Sequence, residues 1–226
     1  MPTASLVIVA YNRIEQLKLT LSSIHYEHLL ETILVDDGSE DGAGQWVSEN
    51  YPDIRIIRLE KDRWRNPARA RNVGVAAATG DIVIVQDAEC YHINDAIAQV
   101  LTHFYEGESI LVTPEAPIYE QYGIRPRGPN PAYRFLFLAM WKEDWIALGG
   151  MDEFFTQWGN EDVEFETRCK VAGYEVFTDF RIETQHLAHQ NIQGDATRHL
   201  FECEFHQWYS DRLKAGLGDP RLIWQH

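Results

Sequence analysis

A chain of 226 residues suits a single domain with a substantial core, and 7 Trp, 10 Tyr and 10 Phe supply apolar bulk for one. Its 20 basic residues face 35 acidic ones, and the formal charge of −15 argues against nonspecific binding to nucleic acid or anionic lipid. Cys90, Cys169 and Cys203 are odd in number and lack metal-ligand spacing, which fits reduced thiols. With no basic leader ahead of an apolar run and no stretch apolar enough to span a bilayer, a cytoplasmic location is expected.

Ser5 to Ala10 reads as a buried strand, and Leu17, Leu21 and Ile24 follow at helical spacing, giving a βα unit. Thr32 to Val35 is a second strand, running into Asp36-Asp37-Gly38-Ser39-Glu40-Asp41-Gly42, a loop dense in turn formers. Ile54 to Arg58 is a third. A basic stretch follows, Lys61, Arg63, Arg65, Arg69 and Arg71, and the Ala-rich segment from Ala68 to Ala77 predicts a helix with Pro67 in its first turn. Ile82 to Val85 then forms a fourth strand of β-branched residues. Strands interleaved with helices predict an α/β fold with a mostly parallel, doubly wound sheet flanked by helices. No dinucleotide-binding glycine fingerprint follows the first strand, and no P-loop occurs anywhere.

In such sheets ligands collect beyond the carboxyl ends of the strands, where Asp87 and Glu89 fall. At i and i+2 on an extended chain their side chains leave on one side and can share a hard divalent cation, Mg²⁺ or Mn²⁺. A solvated acidic turn is the plain alternative. Asn94 to His103 predicts a helix and Ser109 to Val112 a strand. Between Thr113 and Tyr133 stand 5 prolines, too irregular for either regular element and a candidate lid or second-substrate loop.

Phe135 to Met140 reads as a strand and Lys142 to Leu148 as a helix, stopped by Gly149-Gly150. Asn160 suits a helix N-cap, Phe165, Cys169 and Ala172 form an apolar stripe, and Gly173 ends the segment. Glu161 and Asp162 thus occupy a first turn, where the helix dipole favours carboxylates; structural capping is the plain reading, and an ionised base is the functional one. His186 and His189 follow a strand from Ile182 and are a possible metal pair among 9 His. From Thr197, the residues Leu200, Phe201, Phe205, Trp208 and Leu213 predict an amphipathic helix for core packing or self-association into a homo-oligomer.

Taken together, these motifs resemble a nucleotide-sugar-dependent glycosyltransferase of the GT-A fold. The N-terminal half is similar to the family 2 type. The later part is similar to the segment shared by β-1,4-galactosyltransferases and polypeptide N-acetylgalactosaminyltransferases. The resemblance rests on Val9 to Arg13, Val35 to Ser39, Ala68 to Gly74, Asp87-Ala88-Glu89, and Gly149 to Asp152 leading to Trp158-Gly159-Asn160-Glu161-Asp162. It implies that Ala10, Tyr11 and Asn12 edge the nucleotide pocket, with Asp37 on the base and Arg71 near the diphosphate. Asp87 and Glu89 would stand at the metal-binding D-x-D, with a Glu in its last place, and His189 would be the third ligand, with His186 as its alternative. Asp162 would be the general base, with Glu161 and Trp158 on the sugars.

The implied activity is metal-dependent, inverting transfer from a nucleotide diphosphate sugar, uridine being the expected base, to an acceptor hydroxyl. One domain would carry it: residues 1–112 as the donor-binding half, 113–196 as the acceptor and catalytic half, and 197–226 as a closing helix. A sugar-phosphate nucleotidyltransferase and a non-catalytic nucleotide- or carbohydrate-binding module are the alternatives. The first would want a Gly-rich basic loop after the first strand, which Tyr11-Asn12-Arg13 does not supply.

Overall fold

The computed structural model describes residues 2–60, 66–104, 108–114, 118–119, 136–153 and 161–189. A seven-stranded sheet runs in the order β3-β2-β1-β4-β8-β6-β9, from β1 (Ala4–Ala10), β2 (Glu31–Asp36), β3 (Arg55–Arg58), β4 (Ile82–Asp87), β6 (Ile110–Pro114), β8 (Phe137–Trp141) and β9 (Glu175–Asp179). All pairings are parallel except those of β8, which runs against both β4 and β6. Three short strands, β5 (Cys90–His92), β10 (Thr184–His186) and β7 (Ile118–Tyr119), form a second sheet.

Every residue of β1 is buried because both faces of the sheet are covered. Leu6 and Ile8 pack on one side with Leu17 and Leu21 of α1 (Ile14–Ser23), Val47 of α2 (Ala43–Asn50) and Ile97 of α4 (Ala96–Leu101). Val7 and Val9 pack on the other with Ala70 and Val75 of α3 (Pro67–Ala77), Trp145 of α5 (Lys142–Ala147) and Phe165 of α6 (Glu161–Val171). Period-two alternation along one strand thus serves two cores.

The chain winds from β1 through β2 to β3 on one side, then returns to place β4 on the other side of β1. That reversal is the topological switch point of a doubly wound sheet. The carboxyl ends of β1 and β4 part there, with Val9 paired to Asp87.

Among the described residues the expected strands and helices are present, with ends shifted by a residue or two. Five elements were not legible, the short 3-10 turn Tyr26–His28 among them. α2 starts at Gly42 in a left-handed conformation (φ 83°) with no side-chain cap, and β9 is an edge strand of alternating exposure. β5 has three residues, and β7 falls inside the proline-rich stretch expected to hold no regular element. Ala172 is exposed and does not extend the stripe of Phe165 and Cys169. The rest of the proline-rich loop, Trp158, Asn160 and the helix expected from Thr197 lie outside the described residues, as do Lys61, Arg63 and Arg65.

α3 lies unusually close to the sheet. A Cβ on Gly74 would sit 2.2 Å from Cγ1 of Val7 and 3.0 Å from Cγ2 of Val35. Since both neighbours are β-branched and fixed in the sheet, Gly74→Ala should push α3 outward and cost about 1–3 kcal/mol, read by urea unfolding. An unchanged unfolding midpoint would show that the helix can shift freely.

Candidate active site

The β1–α1 and β2–α2 loops are clasped together at the switch point. Asn12 adopts a left-handed backbone (φ 51°), which Asn tolerates better than most residues. Its N–H donates to Oγ of Ser39 (3.0 Å), and its Oδ1 accepts from the N–H of Glu40 (2.8 Å). Buried Asp36 accepts from the Ser39 N–H (2.7 Å) and from Arg58 (2.5 Å). Asp37 accepts from the N–H of Asn66 at 2.9 Å, and Asn66 in turn caps α3 through the N–H of Arg69 at 2.9 Å. A cavity opens between these loops, lined by Val9, Tyr11, Arg13, Asp37, Pro67, Asp87 and Glu89. Asp87 and Glu89 both line this cavity, although the chain is not extended between them: β4 ends at Asp87, and Glu89 lies in the turn that follows.

Asp87 and Glu89 are nonetheless engaged differently. Arg71, projecting from α3 and only 3% exposed, donates to Oδ1 of Asp87 (2.9 Å) and to Oε1 of Glu161 (3.0 Å). Burial alone would lower its pKa, but the Asp87 and Glu161 carboxylates outweigh burial and raise it, so the guanidinium is a fixed cation. One side chain thus joins the end of β4 to the first turn of α6, the two stretches singled out in the sequence. Arg71, expected near a diphosphate, is seated between these two carboxylates at the edge of the cavity that Asp87 lines.

Glu89 turns to the second sheet. β10 pairs antiparallel with β5, His186 opposite Cys90, and the N–H of Leu187 donates to the carbonyl of Glu89 (2.9 Å). This register brings Glu89, His186 and His189 together, one ligating atom of each lying within 4.8 Å of the others. Nε2 of His189 is 3.4 Å from Oε1 of Glu89, and Nδ1 accepts from Arg13 at 3.0 Å. Burial pushes the Glu89 carboxyl up, yet the His189 hydrogen bond and the charges of His186, His189 and Arg13 prevail and bring it down to about 2. Burial also lowers His186 despite the opposing pull of Glu89. An ionised Glu89 carboxylate beside the neutral imidazole of His186 suits a divalent cation, and His189 would join by turning a ring lone pair from Arg13 to the ion, so the residues present fit one. Both histidines belong to the cluster.

Asp162 is buried beside Glu161 in the first turn of α6. Burial first and the charge of Glu161 second raise its carboxyl to about 7, against the opposing Val163 N–H and Arg71. A carboxylate poised there is ionised and protonated in comparable amounts near neutrality, which suits a general base.

The model of glycosyl transferase family 2 matches residues 5–156. The chain belongs to that family. An inactive polypeptide N-acetylgalactosaminyltransferase-like protein 5 of Macaca fascicularis is 27% identical over 264 residues, covering 93% of this chain and 58% of that protein. Among solved structures, a mannosyltransferase of Pyrobaculum calidifontis in complex with GDP-Man and Mn²⁺ superposes with a TM-score of 0.65 at 21% identity, over 85% of this chain and 58% of that one. GalNAc-T7 with UDP, GalNAc and Mn²⁺ gives 0.66 at 17% identity, over 84% and 45%. These neighbours establish the GT-A fold. Three bacterial relatives match 39–48% of this chain, which spans only 26–34% of their length.

Two further residues complete this family member's site, and sequence reading gave them no role. Arg13 reaches the histidine cluster, as described. Asn72, next to Arg71 on α3, accepts from the N–H of Met151 (2.8 Å) and donates to its carbonyl (2.8 Å), fastening the Gly149 to Met151 turn ahead of α6. Gly150 has φ 73° there, and a Cβ would sit 2.5 Å from Oδ1 of Asn72. The signal for Asn72 was its place in the Ala68 to Gly74 motif, but no spacing rule names its partner.

Replacing Arg71 with Met should leave Asp87 and Glu161 facing each other without a cation, at a cost of about 3 kcal/mol or more. Urea unfolding measures that loss. Adding Asp87→Asn and Glu161→Gln to Arg71→Met should recover part of it, because no uncompensated charge then remains.

Proposed function

We propose that the protein is a metal-dependent, inverting glycosyltransferase that moves a sugar from a nucleotide diphosphate sugar, with uridine as the base, to an acceptor hydroxyl. The observation that carries this reading is the convergence on Arg71. The end of β4, which borders the cavity, and the first turn of α6, which holds the base candidate, meet on one guanidinium. Support for the donor class comes from family membership and from neighbours crystallised with GDP-Man or UDP.

In this reading the nucleotide enters between the β1–α1 and β2–α2 loops. Ala10, Tyr11 and Asn12 form one wall, and Asp37 faces the base. Glu89, His186 and His189 hold the cation, with Asp87 bordering the same cavity. The neighbours' Mn²⁺ supports manganese, and Mg²⁺ suits the carboxylates too. When bound, the cation stabilises the charge that gathers on the departing diphosphate. Asp162 takes the proton of the acceptor hydroxyl as its oxygen attacks the anomeric carbon from the face opposite the leaving group, giving inversion in a single displacement. Glu161, held by Arg71, keeps the Asp162 carboxyl raised and borders the sugar. Trp158, outside the described residues, is assigned to the acceptor side.

Asp162→Asn should reduce kcat by about 100-fold or more while donor affinity measured by calorimetry stays within a few-fold. Undiminished turnover would remove Asp162 as the base. Because Asp162 must be ionised to accept a proton and its carboxyl lies near 7, kcat should rise with pH through about 7 and then level off. Glu89→Gln should weaken Mn²⁺ binding about 10-fold or more, read by the electron paramagnetic resonance of free Mn²⁺. Unchanged affinity in that variant would count against the Glu89 cluster as the cation site.

A further inference from the structure

Away from the cavity, a second group of ligating side chains has no task in the proposed transfer. It lies where α1 ends. α1 starts beside the cavity and runs back along the sheet, so the 3-10 turn after it (Tyr26–His28) sits at the far edge, just before β2 begins. β5 also leaves the cavity, from Glu89, and passes α1; the N–H of His92 donates to Oγ of Ser23 (3.0 Å). Asp95, the N-cap of α4, follows and reaches the same edge. Ligand atoms of His25, Glu27 and Asp95 all lie within 4.8 Å of one another, and His28 stands against Asp95.

This group is held in place before any ion arrives. The Tyr26 hydroxyl donates to the carbonyl of Leu21 (2.9 Å), and the N–H of Leu29 donates to the carbonyl of Tyr26 (3.0 Å). With Tyr26 turned inward, His25, Glu27 and His28 are left on the exposed side of the turn. Asp95 gives Oδ1 to the N–H of Ala98 (3.0 Å), so its Oδ2 is the oxygen that faces His28.

The spacing matches a specific chemistry. Tetrahedral zinc with bonds of about 2.0–2.1 Å sets its ligand atoms about 3.4 Å apart. Nδ1 of His25 is 3.4 Å from Oε1 of Glu27, and Asp95, whose Oδ2 is 3.1 Å from Nε2 of His28, has a ligand oxygen within 4.8 Å of both. One imidazole and two carboxylates offer a mixed nitrogen and oxygen set whose charge offsets a dication, whereas Mg²⁺ and Ca²⁺ prefer oxygen alone. As bare surface pairs between half-exposed side chains, these contacts contribute little.

We propose that His25, Glu27 and Asp95 form a second, zinc-type cation site, with His28 holding Asp95 from behind, separate from the donor cavity. Its ion clips the far end of α1 to the entry of α4. It thereby steadies α1 and β5, two elements whose near ends carry Arg13 and Glu89.

The test uses the untagged full chain with Glu89, His186 and His189 all changed to Gln, so that the cavity cluster takes up no metal. Titration with Zn²⁺ by calorimetry should show one equivalent bound, and Zn²⁺ should raise the melting temperature. Asp95→Asn, which keeps an acceptor for the Ala98 N–H, and His25→Gln should each weaken Zn²⁺ binding at least about 10-fold and abolish the thermal shift, with melting unchanged in the absence of zinc. Glu27→Gln serves as an independent third variant. No zinc uptake in the triple-Gln background, or uptake that none of the three substitutions weakens, overturns the proposal. Either result leaves the transfer reading untouched, because its metal cluster is already absent from the protein tested.

Discussion

The site depends on a buried cation held between two carboxylates that the chain supplies from distant places. Arg71 lies 16 residues from Asp87 and 90 from Glu161, and it hydrogen-bonds to both. A guanidinium suits this position because its planar fork addresses two acceptors at once and stays charged despite burial. A lysine there would offer one ammonium point. The cost of desolvating Arg71 is offset only while both partners remain in place, so the end of β4 and the start of α6 are fixed relative to one another.

A second layer of polar contacts holds α6 at its post. Arg168, 2% exposed, meets the Glu164 carboxylate with two hydrogen bonds of 2.7 Å and donates to the carbonyls of Leu148 and Gly150, also at 2.7 Å. Those carbonyls close α5 and belong to the same turn that Asn72 grips from α3. The glycine turn is therefore held from two helices at once, and its left-handed backbone explains why Gly149 and Gly150 stand there. α6 consequently buries Glu161, Asp162, Glu164, Glu166 and Arg168 along with Phe165 and Cys169. An amphipathic reading looks only for the two apolar positions. Here most of the buried face is ionic, and each charge is tied to a neighbour.

The early part of the chain was legible because local signals and global fold agree there. β1, β2 and β4 are runs of β-branched and aliphatic residues buried on both faces, and α3 starts at a proline and ends before Gly80. Where burial is partial the signal fades. β9 alternates exposed and half-buried residues at a sheet edge, and α2 buries only Ala43 and Val47, so neither pattern was distinctive. The site residues divide along a similar line. Asp87, Glu89 and Asp162 could be picked out by type and position, but what each one touches could not, since Arg71, Arg13 and Asn72 act across separations of up to 176 residues.

By itself the sequence determined a doubly wound sheet and the places where carboxylates and histidines gather at strand ends and a helix start, because periodicity, turn chemistry and capping are local properties of the chain. Tertiary structure alone decided how those groups are shared. Asp87 and Glu161 meet on one arginine, while Glu89 joins two histidines carried by β10 and the turn after it. The physical reason is that a carboxylate's partner and protonation are set by whichever charges and desolvating surfaces the fold brings within a few ångströms, and sequence spacing does not encode that distance.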